Sequence, residues 1–351
     1  MPLSKIQGID GQVTSNLGRR NLIINGAMQV AQRATSAAGL GNGGDYFNLD
    51  RHRFSSGNTA GRLTQSQTSI TDLPGFANAM KLDCTTADTS IAANEDCSLQ
   101  YRLEGQDLQQ LKKGTSSAEK VTVSFYMKTN KAFTFMCELD DTDNNRFNGQ
   151  QFTTSTSWTR HTLTFVGDTT GTLDDDNARS MSLNFWIHAG SNFTGGTYTA
   201  NTWQSRASTD TNRAVGIGSF YDDTANELHL TGLQMEVGDT ATNFEHRSYG
   251  EELALCQRYY QKVLNSNRID VFRKSGTSAA QYIPYIQEMR ATPTLALTRN
   301  STVYGPVNTG AGSSGLDPTE NRVNGFSLYV YTNGTDVQVG AEVTATANAE
   351  L

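Results

Sequence analysis

Several short stretches of the chain between residues 21 and 237 alternate apolar and polar residues with a period of two. The apolar sets with this spacing are Val121, Val123, Phe125 and Met127; Phe133, Phe135, Cys137 and Leu139; Leu163 and Phe165; and Met181, Leu183, Phe185 and Ile187. Such alternation is typical of half-buried antiparallel strands. Clusters of Gly, Asn, Asp and Ser separate the stretches, so the pattern predicts two facing sheets in a jelly roll.

The stretch from residue 228 to residue 263 predicts a last strand followed by a short helix. Alternation continues to Val237, and Gly232 stands where it shifts by one residue, which indicates a β-bulge. Ser248 and Glu251 have the S-x-x-E spacing of a capping box. Apolar residues then follow at helical spacing, namely Leu253, Cys256, Tyr259 or Tyr260, and Val263. We predict a helix from Ser248 to Val263 whose apolar stripe packs on its own sheet or on a neighbouring copy.

These patterns divide the chain into four parts. Residues 1–20 predict an extended arm, residues 21–244 the jelly roll, residues 245–264 the linking helix, and residues 265–351 a small β-domain. In the last part, Pro284 restricts its strand to an edge or a bulge. Asn333-Gly334 predicts a hairpin between the two final strands. The predicted fold class is all-β, a jelly-roll β-sandwich followed by a short linking helix and a small C-terminal β-domain.

Composition and charge agree with a β-rich protein that does not bind nucleic acid. Of the 351 residues, 32 are glycine and only 18% are charged, and the formal net charge is −7. A negative chain is disfavoured on a polyanion, so no nucleic-acid partner is predicted. No stretch has the length and apolar character of a signal peptide or a membrane span, so we predict no membrane insertion and assembly in a cytoplasm.

Four dispersed motifs resemble a module found repeatedly in tail-fibre and other virion proteins of tailed bacteriophages. They are NLIINGAMQVAQRATS from Asn21, DRHRF from Asp50, YRLEGQDLQQLKKGTSSAEKVTVSFYMK from Tyr101, and LQMEVGDTATNFEHRSYGEELALCQRYYQK from Leu233. The resemblance covers roughly residues 21–262. It implies a carbohydrate-binding-module-like jelly roll carried on a virus particle, and therefore a virion location.

A candidate glycan-binding surface lies on the polar side of the strand around residue 185. This side presents a tryptophan between an amide and an imidazole, namely Asn184, Trp186 and His188. An indole can stack on the apolar face of a pyranose while polar neighbours bind its hydroxyls. Tyr198 and Trp203 on the following loop extend the predicted carbohydrate-binding site. The alternative is that Trp186 lies beneath a loop or at a subunit contact, with Tyr198 and Trp203 anchoring the loop.

An acidic cluster offers a candidate calcium site. Asp140, Asp141 and Asp143 supply carboxylate oxygens, which calcium prefers, and a second acidic cluster follows at residues 174–177. The alternative is an ordinary turn, because Asp and Asn are common turn formers. Related carbohydrate-binding jelly rolls often place an acidic calcium ligand just after the opening Asn-Gly. Here that position is Ala27, which disfavours that metal site.

Catalytic patterns are weak in this sequence. The chain contains no G-x-S-x-G nucleophile motif, its five histidines lack zinc-ligand spacing, and none of its cysteines forms a C-x-x-C pair. Cys84, Cys97, Cys137 and Cys256 are predicted to be buried free thiols. We predict a protein that is not an enzyme and that needs no cofactor apart from structural calcium at the acidic cluster.

Together these observations predict a bacteriophage virion structural protein, a homotrimeric tail-fibre or spike component that binds host-surface glycans during adsorption. The N-terminal arm is predicted to contact other virion proteins, and Leu253, Cys256 and Tyr260 are predicted to lie at the oligomer interface. One alternative is a purely architectural protein without a ligand, such as a capsid decoration, head fibre or tail adaptor. A second alternative is a polysaccharide depolymerase.

Overall fold

The computed structural model describes residues 20–206, 210–272, 278–304, 316–331 and 338–351. The predicted N-terminal arm therefore lies, except for its last residue, outside the described residues. The first thirteen strands are β1 (Ser36–Leu40), β2 (Gly43–Asp45), β3 (Arg53–Gly57), β4 (Arg62–Ser69), β5 (Asn78–Thr86), β6 (Asp96–Glu104), β7 (Val121–Thr129), β8 (Thr134–Asp141), β9 (Arg146–Thr153), β10 (Thr159–Phe165), β11 (Arg179–Ala189), β12 (Gln204–Ser205) and β13 (Glu227–Val237). Helices α1 (Ser191–Thr194) and α2 (Tyr249–Gln257) precede the strands β14 (Tyr260–Phe272), β15 (Ser278–Pro284), β16 (Thr294–Tyr304), β17 (Leu316–Arg322), β18 (Gly325–Tyr331) and β19 (Gln338–Asn348).

Strands β1–β13 form the predicted jelly-roll β-sandwich. One sheet has six strands in the order β1-β4-β5-β13-β7-β10, and the other has seven in the order β12-β9-β8-β11-β6-β3-β2. The apolar residues of the alternating stretches point into the space between the sheets. Val123, Phe125, Phe135 and Leu183, for example, are fully buried there. The sequence periodicity therefore identifies the core correctly, because one face of each strand is turned away from water.

The bulge predicted at Gly232 is present in β13. The register of β13 against β7 shifts between Thr231 and Gln234, and Gly232 has a positive φ of 62°. A Cβ atom at this position would lie 2.8 Å from Cζ of Phe76, closer than side chains tolerate. Glycine is required here both by its backbone conformation and by the close approach of this ring.

The predicted helix begins where expected but ends early. Ser248 caps α2, and its side chain and that of Glu251 form the predicted capping box. The prediction of a helix as far as Val263 is wrong, because α2 ends at Gln257 and β14 begins at Tyr260. Tyr260 pairs with Asn348 at the end of β19, so the strand pairing of aromatic and β-branched residues outweighs the helical spacing.

The C-terminal part contains two three-stranded sheets, in the orders β14-β19-β16 and β15-β18-β17. β15 is an edge strand that ends at Pro284, as predicted. The hairpin predicted at Asn333-Gly334 is wrong: β18 and β19, which flank this dipeptide, belong to different sheets. The dipeptide itself lies outside the described residues. A second Asn-Gly pair, Asn324-Gly325, instead lies at the tight reversal that pairs β17 with β18.

The C-terminal part is fixed to the jelly roll by a buried cluster. The side chain of Arg51, 1% exposed, lies 3.5 Å from the ring centroid of Tyr259 and donates a 2.6 Å hydrogen bond to Glu350. The Tyr259 hydroxyl donates to Glu104 over 2.5 Å, and the Tyr101 ring lies on the other side of Arg51, 5.1 Å away. Residues from DRHRF, YRLEG and QRYYQK therefore meet in space, which gives these dispersed motifs a common structural role.

Candidate functional site

The central strands of the seven-stranded sheet build a polar surface on the side turned away from the six-stranded sheet, hereafter the outward face. In the register, β11 lies between β8 and β6. The rows across these three strands are Asp140, Ser182 and Arg102; Glu138, Asn184 and Gln100; and Met136, Trp186 and Ser98. On the next strand, Arg53 of β3 lies opposite Gln100. Cross-strand neighbours of this kind are close enough to act together on one ligand or one buried charge.

One half of this face is covered by residues 190–206 and 210–217, the covering segment, and is called the loop-covered half. Trp186 is only 5% exposed, and its ring packs with Ala214, Phe193 and Ile217 of this loop. Its indole nitrogen donates a 2.9 Å hydrogen bond to Glu138. Trp186 therefore lies beneath a loop and not on an open surface, and its role in carbohydrate binding stays a prediction.

Asn184 and His188 are also buried, so they do not extend an open platform. Asn184 donates through Nδ2 to Glu138 over 2.9 Å. His188 lies 2.8 Å from Ser219 Oγ through Nδ1 and 3.0 Å from Glu95 Oε2 through Nε2. Burial lowers the pKa of His188, and the Glu95 carboxylate opposes that change. Asn184 therefore joins β11 to β8, and His188 joins β11 to Glu95 and to Ser219, which lies just beyond the covering segment.

Glu138 is the charge at the centre of the loop-covered half. Its fully buried carboxylate accepts two hydrogen bonds from Arg213, at 2.7 and 2.6 Å. Burial alone would raise the pKa of Glu138, but the Arg213 charge and the donated hydrogen bonds lower it. The same pairing raises the pKa of Arg213 against its own burial. This bidentate pair fixes the loop to the sheet.

Tyr198 and Trp203 remain half-exposed. The Tyr198 hydroxyl accepts a 3.0 Å hydrogen bond from the main-chain amide of Gln151, and its ring packs with Trp186 beneath the loop. Trp203 packs against the main core instead, and its indole donates to the main-chain oxygen of Val166 over 2.8 Å. The structure thus places these two aromatic residues in different clusters, and a role in glycan binding stays a prediction for both.

The three predicted calcium ligands point to different partners. Asp140 lies 2.7 Å from Arg206, and Asp141 lies 2.5 Å from Lys113. Asp143 accepts a 3.0 Å hydrogen bond from the main-chain amide of residue 174. Among the described residues, no group of three or more His, Cys, Asp and Glu side chains could hold a metal ion. Calcium binding stays an untested prediction, and these carboxylates do not converge on one point.

Two of the three predicted interface residues are buried within the chain itself. Cys256 is fully buried, and Tyr260 is 8% exposed beneath the Arg33 guanidinium, which lies 3.7 Å from its ring centroid. Leu253 is half-buried. Within one chain, α2 and β14 bury Cys256 and Tyr260 against their own jelly roll, and the assignment of these residues to an oligomer interface stays a prediction. All four cysteines are free and buried, as predicted.

The other half of the outward face carries a cluster of arginines, hereafter the arginine patch: Arg53, Gln100, Arg102 and Arg179. Oε1 of Gln100 accepts hydrogen bonds from Arg53 Nη1 at 2.9 Å and from Arg102 Nη2 at 3.4 Å. Arg102 also donates to the main-chain oxygen of Leu351 over 2.5 Å. These side chains are half-buried, so they are both oriented by the sheet and open to solvent on one side.

No protein-family model matches the chain, and no curated protein matches it by sequence. Solved structures that resemble it include a CBM4 protein, with 10% identity and a TM-score of 0.30 over 61% of this chain and 97% of that one. The family 11 carbohydrate-binding module of a cellulosomal cellulase of Clostridium thermocellum gives 16% identity and a TM-score of 0.28 over 60% of this chain and all of that module.

A third similar structure is the enzymatically active domain of tailspike protein 4 of bacteriophage CBA120. It gives 8% identity and a TM-score of 0.30, over 62% of this chain and 21% of that one. Similarities at this level do not identify a shared ligand or function. In the described part of the chain, no helix is long and apolar enough to cross a membrane.

Sequence reasoning overlooked the arginine patch, although a signal was present. Gln100 and Arg102 alternate with the buried residues Leu99, Tyr101 and Leu103, which places them on the outward face of β6. The DRHRF motif places the third member of the patch, Arg53, on the adjacent strand. The sequence pattern does not predict the pairing of β6 with β3 and β11, and this pairing brings the arginines together.

Proposed function

We propose that this chain is a structural protein of a tailed-bacteriophage particle, a homotrimeric tail-fibre or spike component whose jelly roll binds glycans of the host surface. The resemblance of four dispersed motifs to phage virion modules supports the virion part of this proposal. Three of those motifs meet around Arg51, where they join the sandwich to the C-terminal sheets. The three motifs thus hold the jelly roll to the C-terminal sheets, which fits a protein whose jelly roll is attached to a larger assembly.

The glycan part of the proposal is carried by one observation, the half-open polar surface at the arginine patch. Guanidinium and amide groups are oriented there by the sheet and have a side open to solvent. Fixed polar groups of this kind give orientation and specificity to small-molecule sites. A single site of this size binds weakly, and several copies on one particle would raise the effective affinity by two to four orders of magnitude, roughly 10²–10⁴-fold.

The partners of the carboxylates on the outward face favour glycan binding over glycan cleavage. Glycosidases use two carboxyl groups that flank the scissile bond. On the outward face, Glu138 is held by Arg213 and covered by the loop, and Asp140 is held by Arg206. Both of these carboxylates are therefore occupied by positive partners. Asp96 on the same face has no ion pair among the described residues, but one such carboxyl is not the pair that glycosidases use. Release of reducing ends from host polysaccharide by the purified chain would support the depolymerase alternative.

The direct test is binding of the full chain to host cells and to an array of surface saccharides. We expect weak binding by the monomeric site and strong retention when the chain is displayed in several copies. Absence of binding to both cells and saccharides at high concentration would overturn the glycan part. Native mass measurement tests the trimer separately, and a monomer at micromolar concentration would contradict it.

A purely architectural role is the second candidate, and exposed apolar side chains favour it. Tyr249, Tyr282 and Ile286 are 58%, 49% and 59% exposed. Exposed apolar side chains mark protein contacts where they form a contiguous patch, and Tyr282 and Ile286 lie close together along the chain. If the chain binds a purified virion component but no saccharide, the architectural role is the correct one.

A further inference from the structure

The arginine patch has more positive charge than the described part of the protein neutralises. Within those residues, Arg53, Arg102 and Arg179 form no ion pair with a side-chain carboxylate. Arg102 does donate over 2.5 Å to an oxygen of Leu351, the last residue of the sequence, whereas the Arg179 side chain forms no hydrogen bond within the described residues. Buried arginines elsewhere are paired: Arg51 with Glu350 at 2.6 Å and Arg213 with Glu138 at 2.6 Å. The arginines of the patch therefore differ from the buried arginines elsewhere, which form ion pairs with carboxylate side chains.

The geometry brings two of these guanidinium groups to one neutral oxygen. Arg53 and Arg102 both donate to Oε1 of Gln100, which carries no net charge to offset them. A guanidinium forms its stronger hydrogen bonds with carboxylate or phosphate oxygens, often two at once. The amide of Gln100 thus orients the donors while leaving their charge available to a ligand.

Electrostatics within the patch agree with this geometry. Burial, together with the charges of Arg53 and Arg179, lowers the pKa of Arg102 to about 10, and the charges of Tyr46 and Asp140 oppose this shift. Asp140 is already 2.7 Å from Arg206 and 3.4 Å from Arg213, so it is shared among several cations.

Burial likewise lowers the pKa of Arg53, with Arg179 adding to the effect, while Tyr46 and Asp45 oppose it. The three arginines thus lie close enough to disfavour one another's charge. An added anion would relieve this repulsion.

The sheet beneath the arginines contains polar atoms with no partner within the described structure. They are Oγ of Ser182, Oδ1 of Asn184 and Nε of Arg102. Ser182 lies directly opposite Arg102 in the strand register, and Asn184 lies opposite Gln100. Ser182 and Asn184 are 1% and 2% exposed. Buried polar groups normally have a partner. Asn184 is enclosed in the loop-covered half, but Oγ of Ser182 and Nε of Arg102 lie at the patch itself, which indicates a place where a polar ligand or its water shell completes the network.

We propose that the arginine patch binds the anionic group of an acidic saccharide, either a carboxylate or a phosphate, with Arg53, Arg102 and Arg179 as the charged contacts. This inference rests on the proposed glycan-binding function and specifies its ligand class. Uronic acids and sugar phosphates share the chemistry that the patch recognises. Neutral saccharides would offer no negative charge to the three guanidinium groups.

The test is calorimetric titration of the full chain with two matched pairs of saccharides. One pair is a uronic-acid oligosaccharide and its neutral counterpart, and the other is a sugar phosphate and its parent sugar. We expect at least one acidic member to bind about tenfold or more tightly than its neutral counterpart, and the difference to shrink as salt is raised. Whichever pair shows the larger difference identifies a carboxylate or a phosphate as the preferred group.

Arg179→Gln is the most informative variant, because the Arg179 side chain has no hydrogen bond to lose within the described residues. We expect it to weaken acidic-saccharide binding about tenfold while leaving thermal unfolding unchanged. Arg62→Gln is the matched control for charge, since Arg62 is half-buried on the six-stranded sheet and, within the described residues, donates to main-chain oxygens. It should leave binding unchanged, although the loss of these hydrogen bonds lowers its stability.

The outcomes separate this inference from the proposed function. Equal binding of neutral and acidic saccharides, or an Arg179→Gln variant that binds like the wild type, overturns the inference while glycan binding stands. Failure of every saccharide and of host cells to bind overturns the proposed function and the inference with it.

Discussion

The two halves of the outward face share the strands β6, β8 and β11 but treat charge in opposite ways. In the loop-covered half, Glu138 receives hydrogen bonds from Arg213, Asn184 and Trp186. In the arginine patch, Arg53 and Arg102 share one neutral amide oxygen. Only a few residues along β11 separate these environments. A strand pattern of alternating polar residues therefore does not distinguish a structural network from a surface available to a ligand.

The covering segment makes the difference. Residues 190–206 and 210–217 exclude water from Glu138 and supply Arg213 as its counter-charge. A buried charge without a partner is costly, so this half must be internally complete. The arginine patch keeps one side in water, where solvent offsets part of the cost of unpaired charge. The arginine side chains of the patch can therefore stay without a carboxylate partner until a ligand binds.

Loss of Arg213 should have the largest effect on this contrast. Arg213→Ala leaves the Glu138 carboxylate buried without its counter-charge, and we expect the free energy of unfolding to fall by about 3–5 kcal/mol. Urea denaturation measures this change. A loss below about 1 kcal/mol would mean that the loop-covered half is as solvent-accessible as the patch.

The double variant Glu138→Gln with Arg213→Met serves as its control. Removing both charges together should recover most of the lost stability, because a buried ion pair can be replaced by uncharged groups of similar volume at little cost. Gln keeps an oxygen that accepts from Asn184 and Trp186. If the double variant is as unstable as Arg213→Ala, the loss comes from packing and not from the unpaired charge.

A smaller effect is expected for Trp186→Phe. The substitution keeps an aromatic ring beneath the loop but removes the donor to Glu138, so we expect a loss of about 1–3 kcal/mol in the free energy of unfolding. Saccharide binding by the folded variant should stay within twofold of the wild type. Binding that falls tenfold would show that the loop opens and exposes the indole to a ligand.

The pH dependence of Asp96 gives a third, smaller effect on the same face. Burial raises the pKa of Asp96 to about 6, and the Arg213 charge only partly opposes this rise. An unfolded Asp titrates near pH 3.9, so the folded state binds the proton more tightly. The stabilisation from this group is therefore present below about pH 4 and lost as the pH rises through about 6.

Asp96→Asn isolates this contribution, because its side chain stays neutral at every pH. The stability of the variant relative to the wild type should increase between about pH 4 and pH 6.5 and then level off. Urea denaturation across that range measures the difference. A difference that does not change with pH would contradict the raised pKa.

The sequence predicted the jelly roll, the bulge at Gly232 and the start of α2 because each depends on local periodicity or on one residue with special backbone freedom. It failed where tertiary pairing decides the result. The end of α2 depends on the pairing of Tyr260 with β19, which lies about eighty residues further along the chain. The burial of Trp186 depends on a loop that the strand pattern does not reveal. The arginine patch needed the strand order, which alternation alone does not supply.

Arg179→Gln is expected to have the smallest effect on stability, and it tests the difference between the loop-covered half and the arginine patch most directly. The Arg179 side chain has no ion pair or hydrogen bond within the described residues, and its charge disfavours those of Arg53 and Arg102. We expect the free energy of unfolding to change by no more than about 0.5 kcal/mol, in either direction. Thermal and urea unfolding of this variant beside Arg213→Ala measure the contrast directly. A loss above about 1 kcal/mol would assign Arg179 a structural partner and make the two halves alike. An unchanged value would mean that stability does not require the half-buried charge of Arg179, although this charge also favours the Asp140 carboxylate.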